Sequence, residues 1–326
     1  MQEVDPGYSR LPTEDEVDEE AKHRVEWYGA FFKVAKCEFS KIWRMCLMFG
    51  LVAYIYSVLR VVKDAIVSER QIPASIQFLK LTLVTPCSIF SVIIVTYLLG
   101  RMSIGNVLKI CVLFFGVFFL VYGLTMNFHH FVEKNEYWAI NKLGDGKCSF
   151  RGLASLYPVF LCINFWTSSL LYLFSELWGS VVLSLLCLSY FNHICTFKQS
   201  LRFVPILYIM SNVGLLMSSL TMFGIAALKN HASYFINTHA ISVLLIVSAF
   251  ITISIYFVQK SLETSVLPIP IFQVTSTATK KKAKKKIGFV EGVAEMIKSK
   301  LLINMSFIVL AYNVRQIFLN VSTSRV

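Results

Sequence analysis

The sequence predicts an all-α polytopic membrane protein, and three observations carry that prediction. The 326 residues are 56% hydrophobic and 15% charged, whereas soluble globular domains carry about 25% charged residues. Mean hydropathy is +0.63. Several apolar runs reach the roughly 20 residues that a helix needs to cross a bilayer. Short alternating segments, the mark of a β-barrel, are not the dominant pattern, and the apolar runs exclude a soluble enzyme.

The chain opens with a polar stretch, residues 1–22, in which Glu3, Asp5, Glu14, Asp15, Glu16, Asp18, Glu19 and Glu20 face a single base, Arg10, within the first 20 residues. This is the reverse of a signal peptide and too acidic for a transit peptide, so a disordered cytosolic tail is expected. Residues 23–44 mix Trp27, Tyr28, Phe31 and Phe32 with Lys33, Lys36 and Lys41, an amphipathic juxtamembrane composition. Apolar windows then predict spans at 45–70, 77–99, 107–127, 163–190, 203–227, 239–259 and 302–321. The domains expected are a six-helix transmembrane bundle over 45–260, a basic cytoplasmic linker over 261–300, and a seventh span with a short end over 301–326.

Charge decides the one ambiguous stretch, 152–191, which is long enough for two crossings. With one crossing there and the N-terminus inside, the inner segments hold 20 Lys and Arg and the outer ones six. Two crossings would place the run Lys280–Lys286 outside, against the positive-inside rule. That run reads either as a topology anchor or as a contact for anionic lipid, worth about 1 kcal/mol per basic residue near the surface. A nucleic-acid role is not expected for a loop tethered between spans. The eight cysteines are scattered, form no metal-ligand spacing, and read as small buried hydrophobes.

No Gly-rich phosphate loop, HExxH or GxSxG is present, so the chemistry is sought in polar groups within the spans, each costly in a bilayer. Arg60, Lys63 and Asp64, three and four residues apart, fall on one helical face. Asp64 is expected to pair with Arg60, leaving Lys63 an unpaired cation suited to a phosphate-bearing ligand; alternatively all three snorkel to the interface. Glu176 sits mid-span without a charged neighbour, calling for a partner on another helix, for which Lys63 is the natural choice, or for a proton. Gly179 and Ser180, just beyond it, favour close helix packing. Lys80 opens the second span and either snorkels or contributes to a site. Asn212 in the fifth span either binds ligand or joins helices. Asn313, Arg315 and Gln316 make the last span unusually polar.

At these residues the sequence resembles the ATP/ADP translocases of the nucleotide transport protein family. The matching stretches are LRVVKDAIV (59–67), IQFLKLTLVTP (76–86), LYLFSELWGSVVLSLL (171–186), RFVPILYIMSNVGLL (202–216) and KKKIGFVEGVAEMIKSKLLINMSFIVLAYN (284–313). The resemblance covers about residues 40–320. It implies a major-facilitator-like fold, of which this chain would supply a six-helix half bundle plus a seventh transmembrane helix. It implies alternating access that exchanges ATP and ADP or imports nucleotides with protons, the nucleotides being carried as substrates without hydrolysis or a cofactor. It also implies that Lys63 and Arg60 bind phosphates, that Glu176 tunes or releases that contact, and that Asn212, Lys80 and Tyr172 complete the substrate-binding set. Val61 departs from the family's Arg-Asp-x-Lys-Asp pattern, and Asn320 stands where the family has a glutamate.

The chain stops at Val326, so a second reading is a truncated or degenerate carrier half, acting as a partner subunit or as a non-functional product. A second carrier half or another copy is the partner expected. A seven-helix receptor is disfavoured, because the charge bias puts the N-terminus inside and no NPxxY-like end follows the seventh span. The expected location is the plasma membrane of an intracellular parasite, with the N-terminus cytoplasmic.

Overall fold

The computed structural model describes residues 34–35, 38–71, 74–126, 162–163, 165–231 and 234–267, together with Glu19, Ile303, Asn304, Phe307, Ile308 and Ala311. The protein is an all-α polytopic membrane protein. The described residues form helices without a strand, and six helices are long and apolar enough to cross a bilayer: Phe39–Ser68, Ile76–Arg101, Ile104–Met126, Trp166–Ile194, Phe197–Ala227 and His239–Val266. We label them α1 to α6 in that order. The acidic tail apart from Glu19, the basic run Lys280–Lys286 and the polar residues Asn313, Arg315 and Gln316 of the expected seventh span lie outside the described residues.

The stretch 163–190 is a single helix where it is described. Helix α4 runs from Trp166 to Leu177, continues as a π-helical segment over Trp178–Cys187, and ends in the α-helical Leu188–Ile194. Helix α2 contains a shorter π turn, Lys80–Val84, just before Pro86. Proline has no N–H to give the carbonyl four residues back; the helix widens there, and the Thr85 N–H bonds the Lys80 carbonyl instead.

Contacts between α-carbons divide the chain into two compact units. One comprises Met1–Val62, Ile104–His129 and Trp178–Lys281; the other comprises Lys63–Ser103, His130–Leu177 and Lys282–Val326.

In the first unit α3 and α6 pack along their length in antiparallel register. A side chain at Gly105 would meet the Glu263 carboxylate, one at Gly116 would meet Thr252 and Ile253, and one at Gly123 would meet Leu245 and Ile246. Glycine is needed on α3 because the α6 side chains fill the Cβ positions; close approach through small residues is how membrane helices gain contact when the solvent is as apolar as the core. The pairing is fastened at both ends. Ser242 donates to the Gly123 carbonyl (2.6 Å), and Gln259 donates to the Gly105 carbonyl (2.8 Å). Beside Gln259, Lys109 pairs with Glu263, which also accepts from Tyr190 (3.2 Å) and Gln259 (3.0 Å). Trp178, fully enclosed, packs edge-on to Phe115 and Phe119 and donates its indole N–H to the Val52 carbonyl (3.3 Å).

The spans begin or end beyond the expected limits where charges are paired across helices. Helix α1 starts at Phe39 rather than 45, and α5 at Phe197 rather than 203. The basic residues that marked those limits are internal. Arg202 forks onto the buried Glu38 carboxylate (3.0 and 3.2 Å). Lys41, fully buried, donates to the Ile194 carbonyl (2.7 Å) and the Gln199 side chain (3.0 Å). Gln199 in turn donates to Glu38 (2.9 Å). The cysteines described are free; Cys46, Cys187 and Cys195 are buried, as small hydrophobes are.

Candidate functional site

The second unit brings the end of α1 against the start of α4 in three successive rungs. Lys63, Val67 and Gln71 lie four residues apart, so they share one face of α1. Glu176, Tyr172 and the pair Ser169/Ser168 share the facing side of α4. The first rung is an ion pair, Lys63 Nζ to Glu176 Oε1 at 2.9 Å. The second is apolar, where Val67, Leu79 and Tyr172 form a buried cluster flanked by Ile76, Leu83, Val84 and Cys162. The third is a neutral polar joint. Gln71 donates to Ser168 (3.0 Å) and to Ser169 (3.2 Å).

Lys63 is the centre of this arrangement. Its ammonium has three N–H donors and no acceptor. It reaches Asp64 Oδ1 at 2.7 Å as well as Glu176 and stands 4.1 Å from the centre of the Tyr172 ring, within the range of a cation–π contact. Its side chain is 4% exposed, against 25% for Glu176 and 45% for Asp64. A desolvated cation is stable only when paired, and here two carboxylates stand around one ammonium. The carboxylates form the more open side.

Three expectations change. Asp64 pairs with Lys63, not with Arg60, because Lys63 faces the helix interface while Arg60 is exposed. Lys63 is consequently not an unpaired cation. The common face expected for Arg60, Lys63 and Asp64 is resolved into an exposed, a buried and a half-buried position. Tyr172 is fully enclosed, with its ring against the Lys63 ammonium.

Lys80 is half-buried at the start of the π turn in α2, in the same unit as Lys63. Arg60 and Asn212 belong to the other unit, and both are exposed there. Within that unit they are far apart along the helices. Asn212 is one half-turn from Gly214, whose missing side chain lets the Gly50 backbone approach, and Gly50 is ten residues from Arg60, about 15 Å at 1.5 Å per residue. Asn212 faces outward, so it is not a helix-joining residue within the described chain. Gly179 accommodates the Tyr56 ring, the close packing expected of it.

Gln71, Ser168 and Ser169 were not among the expected site residues. Their signal was in the spacing, a polar residue eight beyond Lys63 and polar residues seven and eight before Glu176, on faces that must meet if Lys63 and Glu176 meet. Among the described residues no group of His, Cys, Asp and Glu could hold a metal ion.

Comparison with known proteins bears on what such a site serves. The family model described as "TLC ATP/ADP transporter" matches residues 17–322. The chain is 38% identical over 315 residues to ADP,ATP carrier protein 1 of Paranosema grylli, covering 96% of this chain and 58% of that protein. It is 35% identical over 305 residues to ADP,ATP carrier protein 1 of Encephalitozoon cuniculi, covering 93% and 54%. ADP,ATP carrier protein 4 of Rickettsia prowazekii is 27% identical over 182 residues, 56% of this chain and 34% of that protein. The chain thus spans between half and three-fifths of the two microsporidian relatives. No solved structure matches. On the extent of these matches, the chain belongs to the TLC ATP/ADP transporter family.

Proposed function

We propose that the chain carries one half of a nucleotide transporter that exchanges ATP and ADP by alternating access, and that Lys63 binds the nucleotide phosphates. The observation that carries this reading is the buried Lys63 ammonium, held within apolar helices by two partly open carboxylates at 2.7 and 2.9 Å. A polyphosphate is the ligand class able to outbid two carboxylates, because it offers several anionic oxygens to one ammonium. The family and the names of its carriers supply the nucleotide.

In this reading Glu176 holds Lys63 between substrates and releases it on binding. Arg60, Lys80 and Asn212 contribute to binding the same substrate in the assembled carrier. Tyr172 acts through Lys63. The nucleotide is carried intact, without a cofactor. The major-facilitator-like arrangement of six helices and a seventh, the partnership with a second carrier half or a second copy, and anionic-lipid contact at Lys280–Lys286 belong to the same proposal. So does the placement in a parasite plasma membrane with the N-terminus cytoplasmic. The Lys and Arg asymmetry of the loops supports that orientation.

The test is thermal-shift binding of a nucleotide panel to the purified chain. A ligand that binds only the folded state raises the transition in proportion to its affinity. ATP and ADP are expected to stabilise the wild type and to lose that effect in Lys63→Ala. An equal shift in both proteins would sink the assignment of Lys63.

A further inference from the structure

The hydrogen bonds around Gln71 leave its amide one orientation. The Ser168 hydroxyl donates to the Phe165 carbonyl (2.9 Å) and the Ser169 hydroxyl to the Cys162 carbonyl (2.9 Å). Both hydroxyl protons are committed, so each oxygen has only lone pairs to offer, and the two N–H groups of the Gln71 amide take one apiece. The amide oxygen accepts from the Cys162 thiol (3.7 Å). Turning the amide over would set its oxygen against two hydroxyl oxygens with no proton to share. Gln71 is 6% exposed, and Ser168 and Ser169 are 1% and 5% exposed. The joint is therefore enclosed.

Its place on the helices matters as much as its chemistry. The Gln71 backbone N–H bonds the Val67 carbonyl (2.8 Å) just past the last turn of the first helix, which ends at Arg70. Ser168 and Ser169 are in the first turn of α4. Two turns further on, the same facing stripes carry Lys63 and Glu176. Between them lies the rung of Val67 and Tyr172, where the Tyr172 ring also faces the Lys63 ammonium. A slip of one residue moves a helix by about 1.5 Å, enough to carry a 2.9 Å ion pair beyond contact.

We propose that Gln71 is a positioning residue of the candidate site: through Ser168 and Ser169 it fixes the register of α4 on α1, and thereby the placement of the Glu176 carboxylate on the Lys63 ammonium. This deepens the reading of Lys63 as the phosphate-binding group and rests on it for its effect on nucleotide. Glu176 occupies the position that a phosphate oxygen must take, so the Gln71 joint sets how firmly the site is held closed against its own substrate.

The test uses the full chain and a zero-length carbodiimide, which joins a carboxylate to an amine in contact with it. Mass spectrometry reads the Lys63–Glu176 cross-link, with the Lys109–Glu263 cross-link, from the other unit, as internal control. The variants are Gln71→Met, which keeps the shape of the side chain and removes its hydrogen bonds, and the double change Ser168→Ala with Ser169→Ala. In each, the Lys63–Glu176 cross-link is expected to fall several-fold while the control holds. An undiminished Lys63–Glu176 cross-link in both would overturn the proposal. A parallel fall of the control would also overturn it, because it would show a general loosening of the helices.

Nucleotide affinity supplies the second readout. Gln71→Met is expected to tighten ATP binding, and to have no further effect once Glu176→Gln is present, because both act by freeing Lys63. Additive effects would place Gln71 outside the Lys63–Glu176 contact. If ATP neither binds nor protects Lys63 from cross-linking in the wild type, the phosphate reading fails, while the cross-link comparison still judges the register role of Gln71.

Discussion

Tyr172 lies fully enclosed with the face of its ring 4.1 Å from the Lys63 ammonium. The ring does two things: it forms the apolar rung with Val67 and Leu79, and it supplies negative quadrupole to a cation removed from water. Tyr172→Phe keeps both and is expected to leave ATP affinity within about twofold, less than 0.5 kcal/mol. Tyr172→Ala loses both, and large-to-small core changes of this kind destabilise by about 3–5 kcal/mol. Melting of the purified chain, followed with and without ATP, separates the two.

Removing the cation is expected to be worse than removing either anion. Lys63→Ala takes the ammonium away from both Asp64 and Glu176, and breaking a buried pair from one side costs about 3–5 kcal/mol, less here in proportion to the exposure of the carboxylates. Glu176→Gln leaves Lys63 still bonded to Asp64 and is expected to be milder. The double variant Lys63→Ala with Glu176→Gln should recover part of the loss. Thermal unfolding of the four proteins forms a double-mutant cycle, and simple additivity would contradict the pairing.

Two glycines of α5 are expected to respond oppositely to a methyl group. At Gly214 a Cβ would collide with the Gly50 backbone, whereas at Gly224 nothing lies within 4 Å. Gly214→Ala should destabilise by forcing α5 off α1. Gly224→Ala should be neutral or stabilising by about 0.5–1 kcal/mol, the usual advantage of alanine inside a helix. The thermal midpoints of the two variants check this directly.

Cys162, just before α4, has its thiol pushed up to about 11 by burial. The reactive form is the thiolate, so its fraction grows with rising pH until the medium reaches that value. Maleimide labelling of Cys162 should be slow at neutral pH and should rise about tenfold per pH unit. A pH-independent rate would show that access, not ionisation, controls it.

The sequence was informative wherever composition alone decides the outcome. The apolar windows located all six described helices, and the isolation of Glu176 pointed to Lys63 as its partner. The limits of the spans were less legible. Arg44, Arg202 and Lys260 look like boundary markers when charges are counted along the chain, but Arg202 is answered by Glu38, and Glu263, beyond the expected end of α6, by Lys109. Such pairs join residues more than 150 positions apart, and no local window contains both. The same limit explains Asp64. Its choice between Arg60 and Lys63 depends on which side of α1 is covered by α4, a tertiary fact. The role of Gln71 is legible only once two helices are set antiparallel and their stripes compared.

The pairing of Glu38 with Arg202 and of Lys41 with the Ile194 carbonyl, 164 and 153 residues apart, has a consequence for biogenesis. The first helix is synthesised with a buried acid and a buried base whose partners do not yet exist. At about 5–20 residues per second, the ribosome needs roughly ten to thirty seconds to deliver them. During that interval the start of α1 has to sit where water or lipid headgroups can solvate both charges, and it settles to its final depth only when the end of α4 and the start of α5 arrive. Arrival of the start of the fifth helix, not completion of the first, is therefore the event that provides the partners of Glu38 and Lys41.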